Sequence, residues 1–238
     1  MIRRLRREPT GNRDTLRLEA FSDGVIAIAI TLLVLEIAIP SLEATDDGAE
    51  LWSALRDLWP SYVAYFLSFF TIGILWANHH EIFTHIERTD RYLVLINLGL
   101  LLGIGFLPFS TAVLAEYLGH DGEKAATTFY TGTFLGIAIL YNLIWIYPRR
   151  FGLIGADADP HEIESIDRAF SLGIPGYLLA FGVSFLSSTA ALALVFLLAL
   201  VYLVPVSWVE ALDPRHRHDE ETLRGADEAR PRDPPGIP

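Results

Sequence analysis

Cysteine is absent from the 238 residues, which excludes disulfides and thiolate metal sites while identifying no compartment. Lysine is almost absent as well, since 17 of the 18 basic residues are arginine. Charged residues make up only 20% of the chain. They gather at the two ends and in a few short intervals, leaving long stretches with none. A formal net charge of -11 reads mainly as solvation by carboxylates spread through loops and the C-terminal end, and no nucleic-acid partner is expected. What is plentiful is apolar side chain. Hydrophobic residues reach 52% and the mean hydropathy is +0.36, values a soluble domain of this length rarely reaches.

The apolar residues fall into stretches of about 20, the length a helix needs to cross a hydrocarbon layer roughly 30 Å thick. Six such spans are expected: Leu18 to Ile39, Leu58 to Ala77, Tyr92 to Leu114, Ala125 to Tyr147, Ala169 to Ser187 and Ala190 to Val209. All should be helical, because a lone strand in lipid leaves its backbone polar groups unpaired. The expected fold is therefore all-α, an integral membrane six-helix bundle. Pro175 and Pro205 fall inside the fifth and sixth spans, where a packed membrane bundle tolerates proline. With only Ser188 and Thr189 between them, those two spans either form a tight hairpin or have ends that differ from these bounds. A cleaved signal peptide is not expected, because the first apolar stretch is longer than an ordinary leader core and follows a 17-residue polar tail.

Orientation follows from the cations. With the N-terminus inside, 16 of them fall in the cytoplasm: six before the first span, then Arg88 and Arg91, then Arg149, Arg150 and Arg168, and five at the C-terminal end. Only Arg56 and Lys124 fall outside. Both termini are thus expected on the cytoplasmic side of the cell membrane, with residues 1–16 and 211–238 as loose polar tails around a six-helix transmembrane domain of residues 17–210. The interval from Pro148 to Asp167 is expected to hold a short surface helix around His161 to Ile166.

The first span opens with a charged cluster. An ionised Asp at membrane depth costs roughly 2.5–3.5 kcal/mol, so Asp23 should have a partner. The second span returns to the same side and ends Trp76-Ala-Asn78-His79-His80-Glu81. At about 1.5 Å per residue both segments reach the same depth, predicting a network of Ser22, Asp23, Asn78 and one of the histidines. Such a network reads as a lock between two helices. Chemistry is disfavoured, because adjacent Ser and Asp point about 100° apart on a helix. His80-Glu81 followed by His85 misses the zinc-protease spacing by one residue, and histidines five apart diverge. No enzyme activity and no cofactor are expected.

At 100° per residue Gly24, Ile28, Thr31 and Leu35 share one face of the first helix, with Leu32 at its edge and Asp23 on nearly the opposite side. On spacing alone this stripe is lipid contact or core packing, and periodicity shows no pore.

The residues Arg17, Phe21, Ser22 and Asp23, in the pattern Arg-x-x-x-Phe-Ser-Asp, run into Ala-Ile-Ala-Ile-Thr-Leu-Leu-Val-Leu-Glu-Ile. With Trp76-Ala-Asn-His-His and Leu107-Pro-Phe-Ser-Thr-Ala-Val-Leu-Ala-Glu-Tyr117, this resembles the potassium channels whose animal member is lysosomal transmembrane protein 175 and whose bacterial members are shorter. Animal members carry two six-helix repeats. The resemblance implies that this chain, with one repeat, forms a homotetramer in the lipid bilayer with the first helices around a central pore. It also implies a narrow point at Ile28, a pore-facing Thr31 and further lining aliphatics at Leu32 and Leu35. Arg17, Phe21, Ser22, Asp23, Trp76, Asn78, His79 and His80 correspond to a supporting hydrogen-bond network. A hydrophobic constriction beside a ring of hydroxyls makes a gate and a weak filter for potassium, the permeant ion. No Thr-Val-Gly-Tyr-Gly filter is present, so moderate selectivity is expected. The competing readings are a secondary transporter, which would need ionisable groups near the midplane, and a membrane scaffold.

Overall fold

The computed structural model of the chain describes residues 11–40, 48–156 and 158–203. Those residues form eight α-helices in the order α1 (Gly11–Leu32), α2 (Gly48–Asp57), α3 (Trp59–His85), α4 (Arg91–Tyr117), α5 (Glu123–Phe151), α6 (Pro160–Ser171), α7 (Gly173–Ser184) and α8 (Ser188–Leu203). A 3-10 turn, Leu33–Glu36, continues α1. Among the described residues the only extended pairing is a single bridge between Ile86 and Ile154.

Among the described residues four segments are long and apolar enough to cross a membrane: Arg13–Glu36, α3, α4 and α5. The expected fifth span is shorter here, and the sixth is described only over Ser188–Leu203. α7 begins at Gly173 rather than Ala169, and its 12 residues reach about 18 Å. Pro175 therefore lies in the first turn of α7, where its missing N–H leaves no bond unmade. Pro205 and the end of the expected sixth span lie outside the described residues, as does the C-terminal tail from 211 to 238.

The remaining helices run further than apolar length foretells. α1 starts at Gly11, so Arg13, Asp14 and Arg17 ride on its first turns. α3 continues past Ala77 to His85, because its polar end is tied to other helices. α5 runs through Pro148 to Phe151 and stops at Gly152, whose φ of +67° is the left-handed conformation that closes helices. The surface helix α6 is longer than expected. Trp145 Nε1 donates to Asp167 at 2.7 Å, Arg149 pairs with the same carboxylate, and Phe170 stacks on Tyr141.

α4 is the central helix, packed by α1 and α3 on one side and α5 on the other, with α7 and α8 against α5. Its residues Leu93, Leu100, Ile104, Leu107 and Leu114 are fully buried. Asp90 caps it, accepting from Leu93 N at 2.8 Å and from the Tyr147 hydroxyl at 2.7 Å. Partial burial pushes the Asp90 carboxyl up, but these hydrogen bonds and one from Tyr92 N outweigh it and hold the group below the usual carboxylate range. Across α3, α4 and α5 the buried Ser68 hydroxyl meets Thr111 at 2.7 Å and Tyr130 at 2.9 Å, satisfying polar groups that lipid would leave bare. The outside of the bundle is the reverse of a soluble protein's, with Phe66, Phe70, Leu102, Leu178 and Phe196 all exposed.

Candidate functional site

α1 has two unlike sides. Ser22, Ile26, Ala29 and Leu33 recur at helical spacing, and all are buried against α3 and α4. On the other side Gly24, Ala27, Ile28, Thr31 and Leu32 are exposed. Ile28 is 61% and Leu35 73% exposed, large values for aliphatics on a helix otherwise held in a bundle.

The buried side is fixed by hydrogen bonds. Ser22 Oγ donates to Leu18 O at 2.9 Å and accepts from Asn97 Nδ2 at 2.8 Å. Asn97 Oδ1 lies 3.0 Å from His79 Nε2. A carbonyl oxygen only accepts, so His79 carries its proton on Nε2 and leaves Nδ1 bare. That Nδ1 is buried with no partner among the described residues, while the ring stacks on Phe83 at 4.3 Å. This chain of three side chains joins α1, α4 and α3. Two further links flank it: Trp76 Nε1 donates to Asp23 Oδ1 at 2.9 Å, and His80 Nδ1 meets Glu19 Oε1 at 2.6 Å.

The network differs from the expected one in its membership. Ser22, Asp23, Trp76, His79 and His80 come together, but Ser22 and Asp23 bind different partners. Asp23 is half-buried on the flank of α1, about 110° from the exposed row, and Ser22 is the residue that lies opposite that row. Asn78 lines a small cavity with Thr71, Tyr141 and Asn142 instead of meeting α1. Arg17 is exposed and lies 4.0 Å from Asp14, one turn back on its own helix. Phe21 is half exposed. Two members escaped the sequence reading, Glu19 and Asn97. Asn97 is the lone amide in the apolar run of α4, roughly 10 Å beyond Arg91, and that depth was its legible signal.

On the exposed side, a Cβ at Gly24 would meet nothing within 4 Å. The Thr31 hydroxyl donates to the carbonyls of Ala27 and Ile28, at 3.0 and 2.8 Å, so its oxygen lone pairs remain available outward. Leu35 sits on the 3-10 turn, where residues three apart eclipse, and so it follows Leu32 and not Thr31.

An all-helical bundle with an apolar exterior, several membrane-length helices and a polar clamp on its first helix defines a multi-pass membrane protein. Residues 17–108 match the family described as endosomal/lysosomal potassium channel TMEM175. A potassium channel of Chamaesiphon minutus is 44% identical over 190 residues, covering 79% of this chain and 93% of that protein. A potassium channel of Streptomyces collinus is 42% identical over 203 residues, covering 83% and 97%. The crystal structure of a lysosomal potassium-selective channel TMEM175 homolog from Chamaesiphon minutus superposes with a TM-score of 0.72 at 41% identity, covering 82% of this chain and 98% of that one. The chain belongs to the TMEM175 family.

Proposed function

We propose that this protein is a potassium-permeable cation channel, a homotetramer whose four copies of α1 line a central pore. The observation that carries the reading is the division of α1: one side hydrogen-bonded to its own subunit, the other an exposed row of Gly24, Ile28, Thr31 and Leu32. A helix held this firmly on one flank has its other flank free to face an axis. Four Ile28 side chains form the constriction and exclude water when closed. Four Thr31 hydroxyls, each donating inward to its own helix, turn oxygen toward a partly dehydrated cation. Leu32 and Leu35 continue the lining outward. Arg17, Ser22, Asp23, Trp76, His79 and His80 belong to the end of the bundle that holds α1 in place, and Asn97 joins them.

In this reading the bundle crosses the cell membrane six times, with α7 and α8 as the last two crossings and both termini inside. The arginine distribution and the names of the bacterial relatives as potassium channels support it. Hydroxyls at a hydrophobic neck discriminate potassium from sodium moderately, since no ring of backbone carbonyls replaces the hydration shell.

Ile28→Asn in planar bilayers tests the assignment. A polar neck wets more easily, so the current should rise severalfold with the fold unchanged. Unaltered conductance from a folded, inserted variant would remove Ile28 from the constriction. A scaffold would carry no current in either form.

A further inference from the structure

A groove of about 1210 Å³ runs along the outside of the subunit between α4, α5 and α7. Its floor is made of glycines: Gly99 and Gly103 from α4, Gly132 and Gly136 from α5. Three of them serve close packing. A Cβ on Gly99 would stand 3.3 Å from Leu140, on Gly103 2.9 Å from Ile137, and on Gly132 3.2 Å from Phe181. Gly136 is different. A Cβ there would meet nothing within 4 Å, and the residue is exposed. Glycine is a poor helix former, and among the described residues no neighbour comes close enough to a Cβ here to require it. What its missing side chain provides is room in the groove.

The groove is apolar along its length and charged at one end. Phe106, Phe129, Phe181 and Phe185 wall it, and Lys124 lines its outer mouth. Lys124 is the only lysine in the chain, exposed on the first turn of α5, and it pairs with no carboxylate among the described residues. Of the neighbouring acids, Glu123 is engaged with the Gly119 N–H at 3.0 Å and Asp121 is exposed. From Lys124 to Leu140 the groove follows α5 for about 24 Å, longer than the roughly 15 Å of hydrocarbon in one leaflet. α1 packs on α3 and α4, while α5 and α7 wall the groove's far side, so the groove opens away from α1. Its facing lipid and not a second copy rests on the proposed assembly around α1.

We propose that this groove is a phospholipid site, with an acyl chain lying over Gly136 and the phosphate of the same lipid meeting the Lys124 ammonium. A lysine–phosphate contact at an exposed mouth strengthens binding by up to about fivefold. The hydrocarbon is held by contact with the glycine floor and phenylalanine walls.

The test uses the full chain purified in mild detergent, with dioleoyl phosphatidylglycerol and dioleoylglycerol as probes and native mass spectrometry as the readout. The wild type should bind the phosphatidylglycerol more tightly. Lys124→Gln should weaken that binding by up to about fivefold and leave dioleoylglycerol, which lacks the phosphate, unchanged. Gly136→Leu should abolish binding of both, and Gly136→Val serves if the leucine variant does not fold. Phosphatidylglycerol affinity unaltered by Lys124→Gln, or by the filling variant, overturns the proposal. A filling variant that dissociates the oligomer with lipid binding intact also overturns it, since the groove would then lie between subunits. Potassium flux recorded after the same protein is reconstituted into liposomes separates the two readings. Lipid bound without flux refutes the channel and leaves the groove, and flux with no lipid discrimination does the reverse.

Discussion

Replacing Asn97 by leucine removes the one side chain among the described residues that joins α1, α3 and α4 through hydrogen bonds. Two bonds are lost, to Ser22 Oγ at 2.8 Å and to His79 Nε2 at 3.0 Å, from a residue that is fully buried. Interhelical hydrogen bonds in membrane proteins contribute about 0.6 kcal/mol on average and up to about 1.7. Ser22 keeps its bond to Leu18 O, so little is lost on that side beyond the pair itself. His79 fares worse, because its Nε2–H becomes a second unpartnered atom on a buried ring whose Nδ1 already lacks one. Stranding a buried donor costs about 1–3 kcal/mol. The two routes agree on a loss of about 1–3 kcal/mol, measured as unfolding of the purified protein in detergent by denaturant. Paired with Ser22→Ala in a double-mutant cycle, Asn97→Leu should show a coupling of about 0.6–1.7 kcal/mol. Asn78→Leu, which removes an amide with no bond to α1, should couple to Ser22→Ala by less than about 0.3 kcal/mol. Additivity at Asn97 combined with coupling at Asn78 would refute the network described here.

Asp90→Asn keeps an acceptor for Leu93 N, since asparagine caps about as well as aspartate, and should cost only the ionic part of the cap, about 0.3–1 kcal/mol at neutral pH. Because the folded carboxyl titrates below its unfolded value near 3.9, its ionic contribution is fully present above that pH and is lost as pH falls through the lower folded value. The stability difference between wild type and variant should therefore be flat above about pH 5 and shrink below about pH 4 in acid-titrated unfolding. A second pair of variants tests the α7–α8 hairpin. A Cβ on Gly176 would stand 2.6 Å from Leu198 Cδ2 and 3.4 Å from its Cγ, so Gly176→Ala displaces the whole side chain and should cost about 1–3 kcal/mol. Gly182→Ala meets nothing within 4 Å and should stabilise by up to about 1 kcal/mol through helix propensity.

Helix positions were legible because twenty apolar residues in a row have few other solutions, and α3, α4 and α5 lie where the runs lie. Their ends were less so. Apolar length stops at Ala77, whereas α3 continues because His79 and His80 are bonded to Asn97 and Glu19, contacts that a linear reading cannot see. α7 falls short for a related reason: Ala169 to Ser171 carries apolar character but belongs to α6, which Trp145, Arg149 and Asp167 hold against α5. In the candidate site, helical spacing put Ile28 and Thr31 on one row but could not say that the row would be exposed. The pairing of Ser22 with Asn97, not with Asn78, depends on how α4 packs between α1 and α5, which hydropathy does not encode.

Potassium flux through the purified protein in liposomes tests the channel assignment most directly. With potassium-loaded vesicles and a proton carrier to relieve charge, potassium efflux should be rapid and far above that of protein-free vesicles, with sodium passing more slowly. Flux indistinguishable from empty vesicles, from protein shown to be folded and inserted, would contradict it.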